Sequence, residues 1–201
     1  MSHYYLNDEK LAHDENILDV RIKDVSLRLK TDSGVFSKRG LDYGTKVLLE
    51  NIQLPGSVKT VIDMGSGYGP ISLYLAKKYP EIFVYAYDVN ERAVALTQVN
   101  IKENKIENVK ASVSFLFENV NVKADVVVTN PPIRAGKQVV FALYEGAYQS
   151  LNNQGLLYVV IQKKQGAPST VSKLIELFGN CETIDKSGGY WILLAKKHEN
   201  D

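Results

Sequence analysis

The sequence predicts an α/β fold built on a doubly wound, mostly parallel sheet that finishes in an antiparallel hairpin. Three observations carry this reading. From Thr60 onward, short apolar runs alternate with amphipathic stretches in the order strand, helix, strand, helix. A glycine-rich turn joins the first of those strands to its helix. Near the C-terminus two strand-prone runs flank Ser187-Gly188-Gly189, a hairpin signature.

The elements follow in order. Ahead of the core, apolar residues alternate as Val20, Ile22 and then Val25, Leu27, Leu29, with parity slipping once at Lys23-Asp24. A strand, a tight polar turn and a second strand account for that slip. Asp42 to Ile52 reads as a helix with Val47, Leu48 and Ile52 on one face, stopped by Pro55-Gly56. Thr60–Met64 is the first core strand, Pro70–Tyr79 its helix, and Phe83–Val89 the next strand. Asn90 then caps a helix to Asn104. Val109–Leu116 and Asp125–Thr129 are strands, followed by a helix from Lys137 to Leu151. Asn152-Asn153-Gln154-Gly155 reads as a turn before the strand Leu156–Ile161, and Ser169 as the cap of a helix to Phe178. Glu182–Asp185 and Tyr190–Lys196 form the closing hairpin. With no repeat, low-complexity tract or linker, residues 1–201 are expected to be a single domain. Residues 1–56 form an N-terminal hairpin and helix extension, and 57–201 a Rossmann-like core.

Composition narrows the function. Lys and Arg number 24 against 23 Asp and Glu, so whole-chain charge gives no argument for an anionic partner and local clusters must supply one. The single cysteine, Cys181, argues against a disulfide framework or a cysteine zinc site and fits a reducing compartment. His3, His13 and His198 lie near the termini, so no metal site is expected. The polar stretch Met1 to Asp14 lacks a signal-peptide core, and no apolar run reaches spanning length. A cytoplasmic protein without membrane contact is expected.

The segment Asp63-Met64-Gly65-Ser66-Gly67-Tyr68-Gly69-Pro70 joins the first core strand to a helix. Glycines let the backbone turn tightly beside a ligand, and the helix N-terminus presents unpaired N–H groups. Asp88, ending the second core strand, stands where such folds place an acid on ribose hydroxyls, about 20 residues past the glycine turn. The glycines alone are compatible with a dehydrogenase, but the spacing is G-x-G-x-G rather than G-x-G-x-x-G, with an acid two positions before it. Asn130-Pro131-Pro132-Ile133 directly follows the strand Asp125–Thr129, so it is expected on the same rim as the glycine turn. Two acceptors there, the Asn130 side-chain oxygen and the Pro131 carbonyl, can bind both protons of a planar amine and favour a pyramidal nitrogen. The prolines stiffen the loop that holds them.

These motifs resemble the class I methyltransferases, which use S-adenosylmethionine. More closely, the chain resembles the RsmC-like small-domain enzymes that make N2-methylguanine in small-subunit ribosomal RNA. The resemblance runs from Leu18 to Lys196. Its specific stretches are Gly34 to Lys38, Gly40 to Thr45, the glycine loop, Thr129 to Lys137, and Gln162 to Ala167. It implies that Phe36 to Thr45 covers the cofactor. It also implies that Asp63, Gly65, Gly67, Gly69, Asp88, Phe115 and Asn130 contact or support it, and that Asn130 to Ile133 position the target amine. Two residues depart from the family pattern. Phe115 stands where Asp or Asn is common beside the adenine, and Ile133 where many amine methyltransferases carry Tyr or Phe. Base stacking is therefore assigned to Phe36. Some relatives fuse two copies of the domain, so grip on RNA is expected from the terminal hairpin or from a second subunit in a homodimer.

Local charge points the same way. Lys38, Arg39, Arg134, Lys137, Lys163 and Lys164 fall on loops expected at the reactive rim, and no acid lies within Phe36–Leu41, Asn130–Phe141 or Gln162–Thr170. A cationic rim suits a polyanion such as ribosomal RNA or the small ribosomal subunit. Two other readings stay open. One is a protein glutamine methyltransferase, which shares Asn-Pro-Pro but normally has Tyr fourth. The other is a nucleotide- or RNA-binding module without catalysis.

Overall fold

The computed structural model describes residues 12–38 and 40–198. The antiparallel strands β1 (Asn16–Ile22) and β2 (Val25–Thr31) form a separate two-stranded sheet. Ile22 pairs with Val25, so Lys23-Asp24 is the whole turn, and Lys23 adopts the positive φ of 52° that such a turn requires. Helix α1 (Tyr43–Asn51) follows, capped by Asp42, whose side chain accepts from the Thr45 N–H.

The core runs β3 (Thr60–Met64), α2 (Pro70–Lys78), β4 (Phe83–Asp88), α3 (Glu91–Glu103), β5 (Val109–Val113) and β6 (Ala124–Thr129). It continues through α4 (Lys137–Ser150), β7 (Leu151–Gln162), α5 (Ala167–Phe178), β8 (Glu182–Ser187) and β9 (Tyr190–Lys196). The seven strands lie in the order β5-β4-β3-β6-β7-β9-β8, parallel from β5 to β7, with β9 and β8 antiparallel at the edge. The chain moves outward from β3 to β5 and then returns to β6. The order therefore reverses between β3 and β6, where a crevice opens beyond their carboxyl ends. The Rossmann-like doubly wound reading holds.

Two apolar clusters cover the two faces. One gathers Leu27, Leu29, Leu48, Leu73, Leu75 and Val126; the other gathers Ile62, Val127, Leu143, Leu157 and Leu174. Val61 and Ile62 go to opposite clusters, as the strand pleat demands. The outer edge of β2 is closed by α3. Asn104 and Asn100, one helical turn apart, pair through their carboxamides with the backbone N–H and C=O of Arg28 and Lys30, at 2.7–3.0 Å. Each side chain imitates a neighbouring strand.

Three boundaries differ from expectation. Asn152 to Gly155 lie within β7 as a bulge: Ala124 pairs with Leu151 and Val126 with Leu156, so four residues loop out and Gln154 takes a φ of 64°. Helix α5 begins at Ala167 behind Gly166 (φ 110°), and Ser169 sits inside its first turn, donating back to the Gly166 carbonyl at 2.9 Å. Strand β5 stops at Val113, because the Ser114 N–H turns to the Asp88 carbonyl and Leu116 takes a φ of 47°. Cys181, between α5 and β8, is half-buried, and burial pushes its thiol up to about 11.

Candidate active site

The glycine loop is fastened at several points. The Gly65 and Ser66 N–H groups donate to the Tyr87 carbonyl at 2.8 and 2.9 Å, and the Gly67 N–H to Asp88 Oδ2 at 2.8 Å. Gly65, Gly67 and Gly69 all take positive φ, 77°, 57° and 92°, and Gly69 caps α2 with Pro70 behind it. The buried Asp88 accepts the Asn90 N–H through its other oxygen, at 2.9 Å. It thus binds the loop to the start of α3. Asn90 in turn donates to the Gly34 carbonyl and Arg92 to that of Ser33, which holds Gly34 to Ser37 along the crevice.

Asp63 is fully buried and does not line the crevice. Ser72 Oγ donates to its Oδ2 at 2.6 Å, while Oδ1 has no partner. Burial raises its carboxyl to about 7, the Ser72 hydrogen bond opposing and the charge of Asp88 adding. Its folded value lies above the unfolded 3.8, so the stability its protonation gives is full below that value and is lost as pH rises through 7. Asp63→Asn keeps an acceptor for Ser72 and removes the charge. It should flatten the decline in unfolding free energy between about pH 4 and 7 and exceed the parent above pH 7, by roughly 4 kcal/mol at most. Urea titrations across that range check this.

The crevice encloses about 740 Å³. Its walls include the glycine loop, Asp88, Phe36, Phe115, Asn130 to Arg134, Gln162 and Tyr190. Phe36 and Phe115 are large apolar side chains left exposed on its rim. Ser66 Oγ and Tyr68 Oη are buried on its wall without hydrogen-bond partners, and burial with the nearby Asp42 charge lifts the Tyr68 hydroxyl above its usual range. A polar ligand would satisfy both groups.

Asn130 lies at the end of β6, where Thr129 Oγ1 donates to the Met64 carbonyl at 2.8 Å and ties β6 to β3. The Asn130 backbone oxygen is 3.9 Å from where a Cβ on Gly65 would stand, so the two loops abut. Asn130 Nδ2 donates to Asp42 Oδ2 at 2.9 Å and to Thr45 Oγ1 at 3.0 Å. Pro131 departs from expectation. Its carbonyl already accepts the Ile133 N–H at 2.9 Å across a tight turn at Pro132 (φ −76°, ψ 77°). A carbonyl has two lone pairs, so it can still serve a ligand, but as a shared acceptor. Ile133 is half-buried against the cluster under α4 and α5. Tyr190 carries no motif, and Asp42, Thr45, Ser66 and Tyr68 enter the sequence reading only as members of the stretches that carry the resemblance. Apart from that, Asp42 reads as the start of a helix, and its contact with Asn130 depends on a partner 88 positions away.

The cations divide. Lys38 is paired with Asp14 and contacts Ser33 Oγ, so it ties its loop to the chain ahead of β1. Arg39 lies outside the described residues. Arg134 is exposed and lines the crevice, and Lys137 Nζ stands 5.0 Å from the Phe141 ring centroid. Lys163 and Lys164 are exposed on a turn after β7, which the Lys163 N–H joins to the Gly189 carbonyl of the last hairpin at 2.7 Å. Among the described residues, no group of three or more His, Cys, Asp and Glu side chains is placed to hold a metal, and no helix is long and apolar enough to cross a membrane.

Known proteins share this architecture. The chain is 42% identical over 197 residues to the uncharacterized protein YbxB of Bacillus subtilis, covering 97% of this chain and 98% of YbxB. It is 28% identical to the ribosomal RNA large subunit methyltransferase G of Shewanella pealeana, over 88% of this chain but only 45% of that protein. Among solved structures, the T. thermophilus 16S rRNA N2 G1207 methyltransferase (RsmC), in complex with AdoMet and guanosine, superposes with a TM-score of 0.81 at 26% identity. That match covers 92% of this chain and 51% of the other. The chain thus spans about half the length of these two methyltransferases. The model of the methyltransferase small domain family matches residues 26–194, and the chain belongs to that family.

Proposed function

We propose that the protein transfers a methyl group from S-adenosylmethionine to the exocyclic N2 amine of a guanine in ribosomal RNA. The observation that carries this reading is Asn130. It stands where the glycine loop meets the reactive loop, with both amide hydrogens engaged by the protein and its oxygen left for a ligand. S-adenosylmethionine, when bound, supplies a methyl group on a sulfonium centre. The residues present suit it. The left-handed glycines give close backbone approach, and Ser66 Oγ and Tyr68 Oη offer partners to a polar ligand. Asp88, already anchoring Gly67, is the acid placed for ribose hydroxyls, since a carboxylate accepts more than two hydrogen bonds. Phe36 and Phe115 give apolar faces for planar rings.

The amine requires orientation rather than a strong base, because its nitrogen is acidic once methylation has made it cationic. Asn130 Oδ1 accepts one amine hydrogen and the Pro131 carbonyl the other, directing the lone pair across the crevice. Such acceptors need an unpaired or extruded base. Support for RNA comes from Arg134, Lys137, Lys163 and Lys164 on adjacent loops of one rim and from the names of the relatives. The RsmC likeness favours the small subunit, and the Shewanella proteins name the large one. Ile133, in place of Tyr, weighs against glutamine in a protein.

Labelled-methyl transfer to isolated ribosomal subunits, followed by nucleoside mass spectrometry, tests the assignment. N2-methylguanosine in small-subunit RNA is the expected product; label only in protein would overturn the reading. Replacing Lys163 and Lys164 together by Ala should weaken RNA binding and reduce the slope of log K against log salt by about one to two units. An unchanged slope in filter binding would remove both lysines from the RNA contact.

A further inference from the structure

We infer that Asp42 is a positioning residue that fixes the Asn130 carboxamide with its oxygen, not its nitrogen, toward the crevice; the inference rests on the amine-transfer reading above. A carboxamide has two ends of nearly equal shape, and rotation by half a turn exchanges an acceptor for a donor. A target amine needs the acceptor. A donor in its place would face two N–H bonds with nothing to accept them. Something outside Asn130 must therefore choose the end.

The structure supplies that choice. Asp42 Oδ2 accepts one Asn130 amide hydrogen at 2.9 Å and Thr45 Oγ1 the other at 3.0 Å. An ionised carboxylate only accepts, so rotation of Asn130 would set oxygen against oxygen at that distance. The carboxylate is itself held. The Thr45 N–H donates to the same Oδ2 at 2.8 Å, and the Lys46 N–H donates to the Asp42 carbonyl at 2.9 Å. The start of α1 thus sets the orientation of the side chain that follows β6, from outside the parallel sheet. Asn130, Asp42 and Thr45 all line the crevice, so the chain of contacts ends at the reacting position.

The test removes the choice. Asp42→Ser keeps a helix cap of equal rank, so α1 should form, but a hydroxyl can donate or accept and no longer dictates which end of Asn130 faces it. Single-turnover methyl transfer to RNA should fall by about 10- to 100-fold, the factor carried by a charge-assisted hydrogen bond. Asn130→Asp alone sets two carboxylates against each other and should be slower still. In the double variant, Asp42→Ser with Asn130→Asp, the serine hydroxyl can donate to the new carboxylate while its lone pairs still cap Thr45, which restores a donor–acceptor pair with an acceptor on the crevice side. That variant should recover at least about tenfold over Asn130→Asp, a coupling that independent structural damage does not produce. A double variant no faster than Asn130→Asp would overturn the inference. A second measurement does not depend on the substrate. In the parent protein the Asn130 side-chain amide hydrogens should exchange slowly by NMR, and faster in Asp42→Ser. Fast exchange in the parent would refute the orientation whatever the enzyme methylates. Absence of methyl transfer by the parent would instead count against the proposed function.

Discussion

Asn130→Ala should lower methyl transfer to RNA on the order of a hundredfold while leaving S-adenosylmethionine affinity nearly unchanged, since the loss is one of positioning. The glycine loop is held by Tyr87 and Asp88, not by the Asn130 side chain, so its geometry should survive the substitution. What disappears is the acceptor proposed for the target amine and the group that Asp42 and Thr45 hold in place. The Pro131 carbonyl, shared with Ile133, remains as a single acceptor and cannot fix the amine on its own. The measurement is single-turnover transfer with calorimetry on the same preparation. Parent-like turnover would reduce Asn-Pro-Pro-Ile to a turn and remove the main support for an amine substrate.

Gly69→Ala should be the most damaging of the loop substitutions to stability. Its φ of 92° is one that L side chains avoid, and a Cβ there would stand 2.8 Å from both Leu73 Cδ1 and Thr97 Cγ2. Leu73 and Thr97 are fully buried, so neither has room to yield. Backbone strain of about 1–2 kcal/mol and overpacking of about 1–3 kcal/mol combine to roughly 3 kcal/mol, a large share of an ordinary domain's stability. Gly67→Ala is the informative contrast. Its added Cβ would meet nothing within 4 Å, leaving only the strain of φ 57°, about 1–2 kcal/mol. Urea midpoints should separate the two, and equal midpoints would show that packing around Thr97 is looser than described.

Much of the architecture was legible because it is written in local chemistry. The slip at Lys23-Asp24, the Asn90 cap and the Gly188-Gly189 turn each follow from a few neighbouring residues, and each stands where expected. The misreadings share a cause. Asn152 to Gly155 carry turn residues and do loop out, but the flanking residues both pair with β6, so the turn becomes a bulge inside one strand. Ser169 has a capping side chain, yet Gly166 supplies the left-handed entry earlier. At the site, Gly65, Gly67, Asp88 and Asn130 were readable as motifs and do converge on one crevice. The contact of Asp42 with Asn130 was not, nor was the pairing of Lys38 with Asp14, because both depend on contacts that only the folded chain creates.

The chain's lone thiol offers a practical handle. With its acidity suppressed to about 11, Cys181 is thiolate in only about one molecule in ten thousand at neutral pH, and alkylating reagents act on the thiolate. A cysteine introduced at an exposed position far from the crevice, such as Glu107 beyond α3, would titrate near the ordinary value and react first. A maleimide dye should then mark that one position in otherwise native protein, with no need to remove Cys181 from its packing. Fluorescence anisotropy of the labelled chain would then test the proposed association with ribosomal particles directly.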